Sequence, residues 1–146
     1  MALVVNLQRK LKLDTKTFVA FSKHVSEEVN EVDGADFSIA FVSDRRMKEL
    51  NGFFRGKDST TDVLSFPHEP DEFDQPPEDG TQNFIGDIVI SIEQAQKQAK
   101  ENGLTLENEI KQLILHGVLH LCGYDHETDD GEMNKRELQL RKRLKI

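Results

Sequence analysis

The stretch HGVLHLCGYDH, residues 116–126, constrains the fold of this chain most strongly. It contains three of the five histidines, spaced His-x3-His-x5-His. His116 and His120 would project from one face of a helix, about one turn apart. Gly123 can end that helix and turn the chain, so that His126 approaches from a third side. Three converging imidazoles with a fourth position open are typical of a catalytic zinc site.

Other readings of this stretch are simpler. Two helical histidines often only share a surface, but a third one beyond a helix-ending glycine argues against coincidence. Cys122 lies about 200° round the helix from His120, so we expect a buried apolar thiol there and not a fourth ligand. Asp125 could orient a metal-binding histidine by accepting a hydrogen bond from its other ring nitrogen, although backbone carbonyls do this equally often. One zinc ion is the expected cofactor, and three imidazoles also accept nickel, copper or cobalt.

The same spacing occurs in the metzincin protease motif, H-E-x-x-H-x-x-G-x-x-H. The glutamate that serves there as general base is replaced by Gly117 in this chain. A leaving amine needs a proton from such a group, so peptide hydrolysis is disfavoured. A phosphodiester fits better, because a metal and an arginine can together stabilise charge on the phosphoryl oxygens. Arg55, expected in a loop beside a glycine, is the candidate arginine.

Strands and helices alternate along the rest of the chain. Strands are predicted at 2–7, 37–42, 62–66 and 84–91, and helices at 16–31, 44–50, 92–102, 106–121 and 130–144. The predicted N-caps are Asp14 or Thr15 and Ser43, and two later helices are predicted to start at Ser91 and Thr105. We predict that Asn51-Gly52 ends the second helix. The class is therefore α/β or α+β, a single domain over residues 1–146 with a small mixed sheet of about four strands and several packed helices.

Composition narrows the class of protein further. The chain has one cysteine, which excludes an internal disulfide, and no apolar run long enough to cross a bilayer. The N-terminus lacks the pattern of a signal peptide, so a cytoplasmic protein without a membrane partner is expected. The net charge of −8 argues against non-specific coating of nucleic acid, and no DNA partner is expected. A basic cluster at 45–57 still allows a localised phosphate-binding surface.

Two histidines and one loop lie outside the motif. His24 has no ligand-type residue near it in the sequence and is expected to be an ordinary surface or boundary residue. His68 is expected in a loop, and the alternative is that it borders the active site. The segment Pro67–Gly80 contains all four prolines and six acidic residues, and it is predicted to be a surface loop without an assigned role.

Three segments together resemble a known family. HGVLHLCGYDH, FRGKDSTTDVLSFP and the GDIVIS strand resemble, in order and spacing, the motifs of the YbeY family of bacterial metallo-endoribonucleases. The resemblance covers nearly the whole chain. It implies a single-strand-specific, zinc-dependent endoribonuclease that matures the 3′ end of 16S rRNA and acts in late ribosome (70S) quality control. It also implies zinc on His116, His120 and His126, a functionally important Arg55, and the 16S rRNA precursor and the ribosome or its small subunit as partners.

The reaction and its class leave alternatives open at this stage. The sequence shows no obvious general base, so either a metal-activated water or the RNA 2′-hydroxyl could attack the phosphorus. A metal-dependent hydrolase of another substrate, including a degenerate metzincin-like protease, is the rival enzyme. The alternative that is not an enzyme is a ribosome assembly factor with a purely structural metal.

Overall fold

The described part of the chain, residues 2–69 and 84–146 of the computed structural model, contains one mixed sheet of four strands with five helices. The strands are β1 (Leu3–Asn6), β2 (Asp36–Val42), β3 (Val63–Pro67) and β4 (Phe84–Ser91). The helices are α1 (Thr15–Glu28), α2 (Asp44–Arg55), α3 (Ile92–Asn102), α4 (Leu106–Leu121) and α5 (Glu132–Leu144), with a 3₁₀ turn at Asn30–Val32. None of these helices combines the length and apolar character that crossing a bilayer requires.

The sheet has the strand order β1-β2-β4-β3. The pairs β1–β2 and β2–β4 are parallel, whereas β3 runs antiparallel to β4 at the edge. The two central strands are rich in buried apolar residues, as strands covered on both faces are. Their register aligns Ile39 with Ile88. The prediction of an α+β fold with a small mixed sheet of about four strands is confirmed.

The core lies between the sheet and helices α1 and α4. Phe18, Phe21 and Val25 form one stripe of α1 and are almost fully buried. α4 buries Ile110, Leu113, Ile114, Gly117 and Leu121 along one stripe, and it also buries Leu115, Val118 and Leu119. The stripes of α1 and α4 follow the helical period of apolar residues in the sequence.

Gly117 allows α4 to approach the sheet closely. A Cβ atom at this position would lie 2.9 Å from Cγ2 of Ile88 on β4, which is too close for two carbon atoms. Residue 117 therefore faces the core, whereas its neighbour His116 lines an open cleft. A glutamate, which metzincins carry at this position, would have no room here. The missing general base is thus also a packing requirement of this fold.

The predicted starts of four helices are confirmed. The side chains of Asp14, Ser43, Ser91 and Thr105 each accept a hydrogen bond from a backbone N–H in the first turn of the helix that follows. Such bonds satisfy donors that have no partner within the helix, which fixes where each helix begins.

The prediction that Asn51-Gly52 ends α2 is wrong. The helix continues to Arg55, and Gly56 ends it in the left-handed conformation with φ 65°. Asn51 is buried, and its side-chain Nδ2 donates a hydrogen bond to the backbone oxygen of Ser59 in the segment that follows. Asn51 therefore binds the chain beyond the helix instead of ending the helix. Arg55 lies on the last turn of a helix and not in a loop, as the sequence had suggested.

Other differences are small. α1 ends at Glu28, three residues earlier than predicted, because Val29 adopts an extended conformation with ψ 96° before the 3₁₀ turn. His24 is an exposed residue of α1, 3.9 Å from the carboxylate of Glu28, in line with the expectation that it is not a ligand. The prediction for the acidic loop Pro67–Gly80 falls mostly on residues 70–83, which lie outside the described residues.

Candidate metal centre and active-site cleft

Three histidines converge at the end of α4. His116 and His120 lie on its last two turns, and His126 lies in the connection to α5. One ring nitrogen from each histidine lies within 4.8 Å of the others, and the Nε2 atoms of His116 and His120 are 3.1 Å apart. The structure therefore brings together the three imidazoles whose spacing predicted a metal site.

The end of α4 explains how His126 reaches the other two. The helix ends at Leu121, and Gly123 follows with φ 101°, a conformation that glycine adopts without strain. The backbone N–H of Tyr124 donates a hydrogen bond back to the oxygen of Leu119, which turns the chain over the end of the helix. This reversal is the one that Gly123 predicts, and it places His126 beside His120, with ring centroids 5.2 Å apart.

Glu137 of α5 fixes the orientation of His116. Its Oε1 accepts a hydrogen bond of 2.7 Å from Nδ1 of His116, and its Oε2 accepts one of 2.7 Å from Nη2 of Arg141. Glu137 is buried, and burial by itself would raise the pKa of the carboxyl group. The hydrogen bond from His116 and the charge of Arg141 outweigh burial, and the pKa is lowered. An ionised carboxylate only accepts hydrogen bonds, so the proton of His116 is on Nδ1 and Nε2 is free for a metal.

The backbone oxygen of Tyr124 fixes His120 in the same way. It accepts a hydrogen bond of 3.0 Å from Nδ1 of His120, which again leaves Nε2 as the free nitrogen. The Tyr124 hydroxyl donates to Oε2 of Glu31 at 2.9 Å, and Arg136 donates two hydrogen bonds of 2.8 Å to the same carboxylate. The hydrogen bonds from Arg136 are the largest influence on Glu31 and lower its pKa to about 2.

The donor set fits a transition metal. With both Nδ1 atoms protonated, two Nε2 lone pairs face each other at 3.1 Å, an arrangement that a cation between them would stabilise. A tetrahedral zinc ion with Zn–N bonds of about 2.0–2.1 Å separates two ligand nitrogens by about 3.3–3.4 Å, close to this spacing. Burial and the two neighbouring histidines lower the pKa of His120, which favours the neutral imidazole that a metal needs.

Two side chains that the sequence offered to this site have other roles. Asp125 is exposed, and its Oδ1 accepts a hydrogen bond from the backbone of Glu127, so it does not orient a histidine. The alternative, a backbone carbonyl, is what the structure shows at Tyr124. Cys122 packs against the core, and burial raises the pKa of its thiol to about 11. Its side chain is half-buried and packs on apolar residues, in line with the expected apolar thiol.

The histidines open on a cleft of about 830 Å³. One side is the histidine wall, formed by His116, His120 and His126. Another part of the lining is the α2 wall, formed by Phe54, Arg55 and Lys57 at the end of α2. Arg55 and Lys57 are exposed, and neither forms an ion pair with a carboxylate of the described residues. The structure therefore places Arg55 on the lining of the same cleft as the histidine cluster, although on a helix end.

Sequence reasoning missed Glu137, Tyr124 and Glu31. Glu137 could have been predicted from the sequence. It lies on the stripe of α5 that is otherwise apolar and is formed by Met133, Leu140 and Leu144, all of them buried. A carboxylate inside a buried stripe needs a partner, and a histidine is a common one. The link to Glu31 had no local signal, because Tyr124 and Arg136 lie 93 and 105 residues away from it in the sequence.

The fold and the site define the class of this protein: an α+β protein whose three converging histidines could hold a metal ion at the edge of an open cleft. The chain belongs to the endoribonuclease YbeY family, whose model matches residues 3–145.

Relatives and one solved structure agree with this assignment. The endoribonuclease YbeY of Nautilia profundicola is 41% identical over 93% of this chain and 92% of its own length. That of Thermodesulfovibrio yellowstonii is 35% identical over 97% of this chain and 96% of its own. The solution structure of TM1509 from Thermotoga maritima superposes with a TM-score of 0.65 at 28% identity, covering 99% of this chain and 89% of that one.

Proposed function

We propose that this protein is a zinc-dependent endoribonuclease that cleaves single-stranded RNA, with the metal on His116, His120 and His126. Its family and its relatives carry the name endoribonuclease. The observation that carries the proposal is the shared cleft, in which three converging imidazoles and an exposed arginine line one cavity. Imidazole nitrogens bind a divalent transition metal, and a guanidinium binds phosphate through paired hydrogen bonds.

Each side chain has a defined task in this mechanism. Bound zinc would polarise the scissile phosphate or a water molecule beside it. Arg55 donates hydrogen bonds to the non-bridging phosphoryl oxygens, where negative charge grows in the transition state. Glu137 and the Tyr124 carbonyl hold the protons of His116 and His120 on Nδ1, so that both Nε2 atoms stay available as ligands.

The biological substrate we propose is the precursor of 16S rRNA, cleaved during maturation of its 3′ end, with a further role in quality control of 70S ribosomes. The resemblance of the three sequence motifs to the YbeY family supports this, together with the family match over residues 3–145. The ribosome or its small subunit is then the partner. The proposed site of action is the cytoplasm.

Proteolysis is disfavoured on structural grounds. The glutamate of a metzincin protease would have to replace Gly117, where a side chain would collide with Ile88 of the sheet. We expect zinc-loaded protein to leave casein-type peptides uncleaved, and appreciable cleavage would contradict this conclusion.

The main test compares metal content and RNA cleavage in three purified proteins. Wild-type protein is expected to retain one metal and to cleave a single-stranded RNA oligonucleotide. His116→Ala is expected to lose the metal and the activity. Arg55→Ala is expected to retain the metal and to lose about 100-fold in kcat/KM, the usual effect of removing one transition-state donor.

Arg45→Ala is the matched control for Arg55. Arg45 is another exposed arginine of α2, paired with Glu49 and away from the cleft lining. If Arg45→Ala and Arg55→Ala reduce activity equally, Arg55 has no specific role. If His116→Ala folds normally and still supports rRNA maturation, the metal is structural and the catalytic proposal is wrong.

The same cleavage reaction decides the attacking group. Products with 2′,3′-cyclic phosphate ends indicate attack by the RNA 2′-hydroxyl. Products with 5′-phosphate and 3′-hydroxyl ends indicate attack by water, and so do 3′-phosphate and 5′-hydroxyl ends that form without a cyclic intermediate.

A further inference from the structure

Two phenylalanines at the end of α2 are exposed to solvent. The exposed fractions of Phe53 and Phe54 are 83% and 56%, whereas the other large exposed apolar side chains of the described residues are aliphatic. Exposing an aromatic ring gives up the stabilisation that its burial would contribute. The two phenylalanines directly precede Arg55 in the chain, so the exposed aromatic residues and the proposed phosphate-binding residue share one end of α2.

Phe54 is held in place although it is exposed. Its ring packs edge-to-face with Phe66 of β3, with centroids 5.0 Å apart, and with Phe53, with centroids 4.9 Å apart. Phe66 is itself half-buried against the small apolar cluster of Val42, Met47 and Leu64. Phe54 also lines the cleft that contains the three histidines, whereas Phe53 does not. A fixed aromatic surface is therefore presented inside the cleft.

The charges around Phe54 indicate which class of ligand would bind there. Arg55 and Lys57 are exposed cations of the same wall, without carboxylate partners among residues 2–69 and 84–146. Aromatic surface combined with unpaired cations fits single-stranded nucleic acid, in which bases stack on aromatic rings while phosphates bind the cations. In a duplex the bases are already stacked and paired, and they cannot reach such a ring.

We propose that Phe54 is a base-stacking subsite, which receives one unpaired base of the RNA next to the phosphate held by Arg55. This inference rests on the proposed ribonuclease function and adds the residue that makes the cleft prefer single strands. Phe66 and Phe53 hold the ring in place through their edge-to-face contacts with it.

The test measures both binding and cleavage. Fluorescence anisotropy with a labelled single-stranded RNA gives the affinity of the protein, and initial rates on the same RNA give KM and kcat. Phe54→Ala is expected to raise Kd and KM by about 5- to 150-fold, the usual range for the loss of one base–aromatic stack, with a smaller change in kcat. Phe54→Trp is expected to restore both values, because tryptophan stacks at least as well.

An RNA with one abasic nucleotide, moved stepwise past the cleavage site, locates the stacked base. At one position the missing base is expected to weaken RNA binding by the wild-type protein. The same abasic RNA is expected to bind Phe54→Ala no more weakly than the intact RNA does, because the stack is already absent from that variant. Leu138→Ala is the matched control, because Leu138 is 54% exposed on α5 and does not line the cleft. It is expected to behave as wild type in both measurements.

The outcomes separate the subsite from the function itself. If wild-type protein cleaves RNA and Phe54→Ala has unchanged Kd and KM, the subsite is refuted while the ribonuclease function stands. The same result makes the aromatic pair a candidate for protein contact instead. If wild-type protein does not cleave RNA, the proposed function fails, and unchanged affinity of Phe54→Ala in the anisotropy measurement would still refute the subsite.

Discussion

The two walls of the cleft differ in how firmly their side chains are held. On the histidine wall, two of the three rings have a hydrogen-bonded partner behind them, and the partner Glu137 is only 7% exposed. On the α2 wall, both cations are exposed and form no ion pair with the rest of the described chain. Only Phe54 is fixed there, through its ring contacts.

The difference corresponds to what each wall would bind. A metal ion needs ligands at fixed distances and angles, so its ligands must be oriented before it arrives. A single RNA strand is flexible and can adjust to cations that move. The comparison therefore predicts that changes behind the histidine wall alter metal affinity or stability, whereas changes on the α2 wall alter RNA binding or cleavage and leave the metal in place.

Removing the support of His116 should have the largest effect. Glu137→Ala leaves Nδ1 of His116 without its acceptor and Arg141 without its carboxylate. We expect zinc affinity to fall by about 10- to 100-fold, the usual cost of losing such a partner, measured by competition with a chelator. Glu137→Gln keeps an acceptor oxygen and should recover part of the loss.

Glu127→Ala is the control, since Glu127 is an exposed carboxylate that lines the same cleft. It should retain wild-type zinc affinity. Equal losses in the Glu127 and Glu137 variants would show that overall negative charge, and not orientation of His116, governs metal binding.

Filling the contact between α4 and the sheet should destabilise the fold. Gly117→Ala forces a methyl group against Ile88, and we expect the free energy of unfolding to fall by about 1–3 kcal/mol in chemical denaturation. Gly52→Ala is the control on another helix, where the new Cβ would lie 3.6 Å from its nearest neighbour. It should be neutral or stabilising by up to about 1 kcal/mol, because alanine favours helices. A neutral Gly117→Ala would remove our explanation for the missing general base.

The Glu31 carboxylate should make the free energy of unfolding depend on pH in the acidic range. Its pKa is lowered from 4.5 to about 2 in the folded protein, so its contribution is complete above pH 4.5 and is lost as the pH falls towards 2. Arg136→Met removes the main cause of this shift and should reduce the loss of stability between pH 4.5 and 2. Arg143→Met, which breaks the more exposed pair with Glu28, should change the acid profile less. Identical profiles for both variants would contradict the assignment to Glu31.

A cation of the α2 wall should give the smallest effect. Lys57→Gln is expected to leave stability within about 0.5 kcal/mol of wild type, because Lys57 is exposed and has no ion pair within the described chain. One lost phosphate contact should reduce the slope of log affinity against log salt by about 0.7 for single-stranded RNA. Lys48→Gln, at an exposed lysine that pairs with Asp58, should leave that slope unchanged. Loss of zinc from the Lys57 variant would mean that the two walls are not independent.

Local patterns in the sequence were sufficient for most of the fold. Apolar residues at helical or alternating spacing and polar N-caps predicted the strands and helices, since these signals act between neighbours. The convergence of three histidines followed from helix geometry and one glycine. The end of α2 was misplaced because Asn51-Gly52 can form a turn but, here, Asn51 binds Ser59 instead. A choice of that kind depends on tertiary contacts.

The supports of the site were harder to predict for a related reason. Glu137 is 21 residues from His116, and Glu31 is 93 residues from Tyr124. No periodicity connects residues on different helices, so the pairing of their side chains appears only once the helices are packed. The buried position of Glu137 on an apolar stripe was the one available signal.

The position of these supports in the sequence has a consequence for synthesis. The helix α4, with His116 and His120, precedes Arg136 and Glu137 in the chain. During translation, the histidines therefore leave the exit tunnel before the residues that orient His116 and hold Glu31. The contacts that orient His116 and hold Glu31 can form only after this part of α5 has been released. A nascent chain thus carries the histidines of the site before it carries their supports.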